Sequence, residues 1–231
     1  MKVKAVFFDA GGTLFDVRGS VGEQYHRFAK KRGLEVSPDI LNQRFKEVFK
    51  KSPPLAFPGA KGEALQALER RWWYALVRRV FDGVPFPDFD LFFDEIFAFF
   101  AGAEGWALFP ETVETLAGLQ KRGLPLGIIS NFDSRLFSVC DALGIRSFFQ
   151  TIILSSRQGA AKPSPEIFRS GLKDAGVSPA DSLYVGDHLR HDVEGAKIAG
   201  MIPLLIDRSG RHADEKEMVR ISDLREIFNF V

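Results

Sequence analysis

The chain has 231 residues, a formal net charge of +1 and 45% hydrophobic residues. This length suits one large domain, or a main domain with a smaller inserted one, and the near-average composition excludes a disordered or fibrous protein. The small net charge gives no general attraction to nucleic acid or to an anionic membrane. We expect a cytoplasmic protein without a signal peptide, a membrane span or nucleic-acid partners, in which the single cysteine, Cys140, is a buried thiol.

Five short apolar runs predict buried parallel strands, because each is continuous rather than alternating and ends at a polar residue or a glycine. They are Ala5 to Phe8, Leu126 to Ile129, Thr151 to Leu154, Ser182 to Val185, and Pro203 to Ile206. Helix-length segments that end at a glycine accompany the later runs: Glu111 to Arg122, Arg135 to Leu143, Pro165 to Ala175, and Val193 to Ala199. This alternation predicts an α/β, Rossmann-like fold with a doubly wound parallel sheet.

A long segment separates the first predicted strand from the second, and none of it has the pattern of a strand. Its apolar spacing is helical around Val21 to Lys31, Pro38 to Lys50, Glu63 to Val80, and Asp90 to Phe100. We therefore predict an all-helical cap over residues 15–105, inserted into a Rossmann-like catalytic core of residues 1–14 and 106–231. The aromatic residues of this segment are interpreted as core of the cap, with one or two of them facing the active site as the alternative; they are Trp72, Trp73, Tyr74, Phe97, Phe99 and Phe100.

Polar side chains follow three of the predicted strands, at the sheet edge where open α/β folds bind ligands. Asp9 follows the first strand and precedes Gly11 and Gly12, which let the backbone turn tightly beside a ligand. The other candidates are Ser130 and Asn131 after the second strand, Lys162 before a helix start, and Asp187 with Asp192 after the fourth strand. Two carboxylates at this spacing suit a hard cation, and the whole set suits phosphoryl transfer.

These residues resemble the four ordered motifs of the haloacid dehalogenase-like superfamily. The motifs match Asp9 to Thr13, then Ser130, then Lys162, then Gly186-Asp187 with Asp192. The resemblance implies that Asp9 is the nucleophile, that Ser130 and Lys162 are catalytic residues that bind phosphate, and that the substrate is a small phosphorylated molecule. It also implies a Mg²⁺ site formed by Asp9, the Gly11 carbonyl and Asp187, with Asp192 acting directly or through water. Further substrate contacts are predicted at Gly11, Gly12, Thr13 and Asn131.

The match extends to the subgroup called haloacid dehalogenase-like hydrolase domain-containing protein 3. Among the segments that resemble this subgroup are Gly22-Glu23, Trp72-Trp73, Ser130-Asn131-Phe132-Asp133 and Lys162-Pro163-Ser164-Pro165. The subgroup resemblance supports the fold more than any particular substrate.

One position departs from the phosphatases of this superfamily, which usually carry a second aspartate two residues after the nucleophile. This chain has Gly11 there, and loss of that acid-base group costs alkyl phosphate hydrolysis roughly a hundred- to ten-thousand-fold in rate. A phosphatase restricted to acyl or aryl phosphates, or one that borrows an acid from the cap, is the first interpretation. The alternatives are a metal-independent 2-haloacid dehalogenase and a low-turnover protein that binds a ligand or a partner. The pair Asp187 and Asp192 favours the metal-dependent phosphatase.

Overall fold

The computed structural model describes residues 3–212 and 218–231, and its strands form two sheets. The strands are β1 (Ala5–Phe8), β2 (Phe15–Val17), β3 (Trp106–Leu108), β4 (Leu126–Ser130), β5 (Thr151–Leu154), β6 (Ser182–Gly186), β7 (Ile202–Ile206) and β8 (Arg220–Ile221). Six of them form a parallel sheet in the order β5-β4-β1-β6-β7-β8. Phe8 of β1 lies opposite Ile128 of β4 and Val185 of β6. The residue after β1, Asp9, therefore lies near the middle of one sheet edge.

Four helices lie in the chain between β2 and β3, and we call them the helical insert. They are α1 (Val21–Lys30), α2 (Pro38–Lys51), α3 (Gly62–Val80) and α4 (Phe89–Phe99). Aromatic rings fill the space between them: the Tyr25 ring centroid lies 5.9 Å from that of Phe81 and 6.4 Å from that of Phe92. Among the described residues, no helix is long and apolar enough to cross a membrane.

The parallel sheet is covered on both faces, because successive side chains of a strand point in opposite directions. In β1, Val6 and Phe8 pack into one apolar cluster, while Ala5 and Phe7 pack into the other. The helices after β3 are α5 (Thr112–Lys121), α6 (Arg135–Ala142), α7 (Ser155–Gln158), α8 (Pro165–Ala175) and α9 (Gly195–Ile198). The predicted α/β, Rossmann-like fold with a doubly wound parallel sheet is confirmed.

The helical insert docks on the core through buried polar contacts. From α3, one carboxylate oxygen of Glu69 accepts hydrogen bonds from the Ser134 backbone N–H at 3.0 Å and from the Ser156 hydroxyl at 2.6 Å. One turn later, the Trp73 indole donates to the carboxylate of Asp133 at 2.6 Å. Glu69 is 4% exposed and Asp133 is fully buried, so these bonds fix α3 against the loop that follows β4 and against α7.

Two expectations about local structure are wrong. Strands do occur between the first two predicted core strands, because β2 and β3 pair antiparallel, with Phe15 opposite Leu108 and Val17 opposite Trp106. Each is only three residues long and its partner is distant in sequence, so no local periodicity marks it. The predicted helix from Val193 to Ala199 is instead a π-helical turn over Leu189–Glu194 followed by the short α9. The chain also ends its parallel sheet with β8, which no sequence run indicated.

Candidate active site

The loop after β1 brings Asp9 and the glycine turn against the end of β6. The Asp9 backbone N–H donates to the Val185 carbonyl at 2.9 Å, which extends the β1–β6 pairing to the carboxylate. Gly12 has a φ of +76°, a conformation that residues with a side chain rarely adopt. A Cβ on Gly12 would lie 2.4 Å from the Asp187 carboxylate. Glycine is therefore required where the two loops meet.

Lys162 occupies the centre of the site and is 4% exposed. Its ammonium lies 2.8 Å from Asp9 Oδ1 and 2.6 Å from Asp192 Oδ1, and it donates to the Tyr184 hydroxyl at 2.9 Å. Asn131 holds the Lys162 backbone from both sides, because its side-chain oxygen accepts from the Lys162 N–H at 2.7 Å and its amide donates to the Lys162 carbonyl at 3.0 Å. The lysine predicted from sequence is thus fixed between two carboxylates.

Asp192 is fully buried at the π-helical turn after β6. One of its oxygens contacts Lys162, and the other accepts the His188 backbone N–H at 2.9 Å. A Cβ on Gly186 would lie 2.3 Å from the Asp192 carboxyl carbon, so glycine lets this side chain pass under the end of β6. Because both oxygens already accept donors, the geometry favours a role for Asp192 in holding Lys162.

The site carries more negative than positive charge. Burial raises the pKa of Asp9, against the opposing effects of Lys162 and Ser130. Burial, and then the charges of Asp9 and Asp192, raise the pKa of Asp187 to about 7. Burial alone would lower the pKa of Lys162, but the neighbouring Asp192 and Asp9 outweigh it and raise that pKa. Lys162 therefore stays protonated, and none of the ion pairs between described residues includes Asp187.

The acidic residues fit a hard divalent cation. Asp9, Asp187 and Asp192 each offer a carboxylate oxygen, and these oxygens lie within 4.8 Å of one another. Carboxylate oxygens are the protein ligands that Mg²⁺ and Ca²⁺ prefer. The raised pKa of Asp187 reflects the same excess of negative charge, which a cation would relieve. The residues present thus suit Mg²⁺ bound between the β1 loop and the end of β6.

A cavity of about 460 Å³ opens above these residues, between the core and the helical insert. Four of the predicted site residues line it, namely Gly11, Gly12, Asn131 and Asp187. The remaining predicted residues are not among those that line it: Thr13, Ser130, Lys162 and Asp192 are buried, and Asp9 lies beside Lys162. The Thr13 hydroxyl is buried without a hydrogen-bond partner among the described residues. The structure thus brings the predicted residues together around one end of this cavity.

The rest of the cavity wall is mostly aromatic, and we call this space the aromatic cavity. Its rings belong to Tyr25, Phe45, Phe49, Trp73, Phe93, Phe97, Phe100, Trp106 and Phe132. The interpretation of the insert's aromatic residues as core therefore needs correction for Trp73, Phe97 and Phe100, which face the cavity, whereas Trp72, Tyr74 and Phe99 do not line it. Helical spacing could not separate the two groups, since both follow the same periodicity.

Arg135, which the sequence did not single out, also lines the aromatic cavity. Its guanidinium pairs with both oxygens of Asp133, at 2.9 Å from Nε and 2.7 Å from the terminal nitrogen. It also donates to the Phe97 carbonyl at 3.3 Å and lies 4.0 Å from the centroid of that ring. Its charge is therefore used within the protein to join α4 to the loop after β4.

Comparison with known proteins identifies the family. A model of haloacid dehalogenase-like hydrolases matches residues 3–200. The chain belongs to this family. It is 33% identical over 209 residues to haloacid dehalogenase-like hydrolase domain-containing protein 3 of Danio rerio, covering 89% of this chain and 86% of that protein.

Two further matches are to proteins that are named for different activities. The chain is 35% identical over 135 residues to a phosphoserine phosphatase of Thermus thermophilus, covering 57% of this chain and 54% of that one. A 2-haloacid dehalogenase from Pseudomonas syringae has the same fold, with a TM-score of 0.68 at 24% identity, covering 98% of this chain and 97% of that one. The fold alone therefore does not separate phosphatase from dehalogenase.

Proposed function

We propose that the protein is a Mg²⁺-dependent phosphatase that acts on a small phosphorylated substrate through an aspartyl-phosphate at Asp9. The observation that carries this proposal is the grouping of Asp9 and Lys162 with Asp187, which lines the cavity. A carboxylate nucleophile, a fixed cation and an acidic metal site are the components that phosphoryl transfer uses. The similarity to a phosphoserine phosphatase points in the same direction.

In this scheme Asp9 attacks the phosphorus atom of the substrate. Lys162 holds the Asp9 carboxylate at 2.8 Å and offsets negative charge as the phosphoryl group arrives. Ser130 contributes its hydroxyl from the end of β4, and the glycine turn offers the backbone of Gly11 and Gly12. Asp9, Asp187 and the Gly11 carbonyl would hold Mg²⁺. When bound, Mg²⁺ supplies positive charge in addition to that of Lys162, which offsets the negative charge of the carboxylates and the phosphoryl group.

Lys162 is held in place by three neighbouring residues, namely Asp192, Asn131 and Tyr184. We infer that Asp192 acts on the metal through water, since Lys162 and the His188 N–H already occupy its oxygens. Asn131 lines the cavity and fixes the backbone of Lys162, and a contact with phosphate stays a prediction for it. Thr13 is fully buried, so we expect it to pack within the turn around Gly12 rather than to contact substrate through its side chain.

We propose that residues 15–105, which include the helical insert, form a cap. Residues 1–14 and 106–231 would form the catalytic core. Its aromatic residues line the cavity together with Asp187 and Asn131. The buried bonds of Glu69 and Trp73 to the loop after β4 hold this closed arrangement. Closure of this kind excludes bulk water from the aspartyl-phosphate and lengthens its lifetime against unassisted hydrolysis.

One observation favours phosphate over a 2-haloacid as substrate. A haloacid carries a carboxylate that requires a cationic partner in the pocket. Among the described residues that line the cavity, Arg135 alone is positively charged, and both oxygens of buried Asp133 already bind it. Lys162 is likewise engaged by two carboxylates. The acidic cluster, in contrast, gives the phosphoryl scheme a metal site.

A hydrolysis screen with metal and variant controls tests the proposal. Purified protein is assayed for phosphate release from acyl, aryl and alkyl phosphates, with and without Mg²⁺, and for halide release from 2-haloacids. We expect phosphate release from acyl or aryl phosphates that requires Mg²⁺ and is abolished in Asp187→Asn. Metal-independent halide release would establish the dehalogenase instead, and absence of turnover with retained phosphate binding would establish a binding protein.

A further inference from the structure

The aromatic cavity is larger than a minimal phosphorylated substrate needs. Its volume is about 460 Å³, whereas an apolar cavity of about 150 Å³ is enough to hold benzene. Gly12, Asn131 and Asp187 line the same cavity, so the space is continuous with the candidate phosphoryl site. An acetyl group would leave most of this space unfilled. The size of the cavity therefore indicates a larger group attached to the phosphate.

The wall of the aromatic cavity indicates what kind of group this is. Nine of the lining side chains are aromatic and four more are valine or isoleucine. Rings on neighbouring turns line the wall in pairs, with Phe45 and Phe49 at 5.6 Å and Phe93 and Phe97 at 5.5 Å between centroids. Such walls bind an aromatic ring through offset and edge-to-face contacts in addition to apolar burial.

Charge in the cavity excludes an anionic group on that ring. Asp16 and Asp187 contribute carboxylates to the lining. Arg135 is the single cation among the described lining residues, and its guanidinium is bound to Asp133 and lies over the Phe97 ring. An anionic substituent would lose its hydration without gaining an unpaired cation. The ring therefore carries no anionic substituent.

We propose that the substrate is a phosphate monoester of a phenol whose ring carries no anionic substituent, held with its ring in the aromatic cavity and its phosphoryl group at Asp9. This inference rests on the proposed phosphatase function. It also accounts for Gly11, because a phenolate, whose conjugate acid has a pKa of about 10, departs with far less need of a proton than an alkoxide. The aromatic cavity and the absence of an acid at position 11 thus both indicate a phenolate leaving group.

The reaction proceeds in two balanced steps. A carboxylate oxygen of Asp9 forms a bond to phosphorus while the bond from phosphorus to the phenolic oxygen breaks, and the phenolate leaves with the electron pair. The phenolate takes a proton from solvent water. A water molecule then attacks the phosphorus of the aspartyl-phosphate, the bond to Asp9 breaks, and phosphate and a proton are released with the carboxylate restored.

Paired substrates test the ring and its charge separately. Benzoyl phosphate and acetyl phosphate share the same type of leaving atom and differ in the ring, whereas phenyl phosphate and 4-carboxyphenyl phosphate differ in charge. Burying a phenyl ring is worth about ten- to a hundredfold in kcat/KM, so benzoyl phosphate is expected to exceed acetyl phosphate by that factor. Phenyl phosphate is expected to exceed its carboxylated analogue at least about tenfold. Equal values within each pair would overturn the proposal.

Variants of the cavity wall provide the second measurement. Phe49 lines the cavity and is 44% exposed, so we expect Phe49→Ala to fold, and Phe230→Ala is its matched control because Phe230 is 37% exposed and does not line the cavity. Phe97→Ala removes a second lining ring, which belongs to α4. Both cavity variants are expected to lower the benzoyl-to-acetyl ratio of kcat/KM about fivefold, whereas Phe230→Ala is expected to leave this ratio unchanged.

The outcomes separate the two proposals. Turnover of acetyl phosphate with no gain from the ring, or a ratio that both cavity variants leave intact, would refute the aromatic substrate while the phosphatase stands. Absence of any turnover by the wild-type protein, with no phosphate transferred to Asp9, would refute both the phosphatase and the aromatic substrate.

Discussion

Restoring an aspartate at position 11 is the sharpest perturbation that the site allows. A Cβ built on Gly11 has no atom within 4 Å, and its backbone does not have the positive φ of Gly12. Position 11 also lines the cavity beside Asp187. A side chain at position 11 therefore has room, and we expect Gly11→Asp to place a carboxyl group near the leaving oxygen.

The expected gain depends on the leaving group. A positioned acid-base group contributes about a hundred- to ten-thousand-fold, or about 3 to 5 kcal/mol of transition-state stabilisation, when the leaving oxygen is an alkoxide. We expect a gain in kcat/KM of at least about a hundredfold on an alkyl phosphate, and little change on phenyl phosphate. The additional carboxylate adds repulsion next to Asp9 and Asp187, so the assay requires saturating Mg²⁺.

The assay compares the wild type with Gly11→Asp and Gly11→Asn on both substrates across pH. The asparagine variant is the matched control, since it has the same size but cannot donate and recover a proton. Equal rates for the aspartate and asparagine variants on the alkyl phosphate, with Mg²⁺ binding intact, would refute the reasoning that the missing acid at position 11 limits alkyl phosphate hydrolysis.

Three further predictions follow from the contacts of the site. The apparent Mg²⁺ affinity should fall about tenfold per pH unit below pH 7 and level off above it, because the cation must displace the proton that the raised pKa of Asp187, about 7, retains; calorimetric titration that gives a pH-independent affinity would contradict this. Tyr184→Phe removes the hydroxyl that accepts from Lys162 and donates to the Ile129 carbonyl at 2.8 Å. We expect denaturant titration to give an unfolding free energy about 1 kcal/mol lower, and kcat to fall at unchanged Mg²⁺ affinity. An unchanged kcat would show that the hydroxyl does not position Lys162. Gly12→Ala should abolish activity and lower the melting temperature, whereas Gly11→Ala should keep the wild-type melting temperature, because only the Cβ at position 12 meets Asp187; equal thermal stability of the two variants would argue against the glycine requirement.

Much of the core was predictable because its signals are local. Buried parallel strands are short continuous apolar runs, and their carboxyl ends must meet at one sheet edge. That rule predicted that Asp9 and Asp187 would lie close together although they are far apart in sequence, and the structure places their carboxylate oxygens within 4.8 Å. The role of each residue in catalysis stays a prediction until it is measured.

The features that sequence missed depend on distant partners. β2 and β3 acquire their identity only by pairing with each other, and the π-helical turn lets Asp192 reach both Lys162 and the His188 N–H. In α3, Leu65 and Leu68 are both apolar and lie three residues apart, yet Leu65 is 6% exposed and Leu68 is 37% exposed. The spacing of apolar residues predicts which face of a helix is apolar, but it does not predict which part of the protein covers that face.

The aromatic cavity shows the same limit. Phe93, Phe97 and Phe100 follow one face of α4 and its end, as core residues would. Whether that face meets another helix or an open space depends on how the insert docks, which the buried bonds of Glu69 and Trp73 to the core decide. Those bonds join residues that are remote in sequence, so no window of the chain reveals them.

Detection of phosphate on Asp9 tests the central claim most directly. The protein is mixed with acetyl phosphate and Mg²⁺, quenched in acid within the first turnover, and digested for mass spectrometry. The account predicts a Mg²⁺-dependent phosphoryl group on the peptide that contains Asp9, and its loss in Asp9→Asn with the fold intact. Undiminished phosphate release by Asp9→Asn, or a label on another residue, would contradict the account.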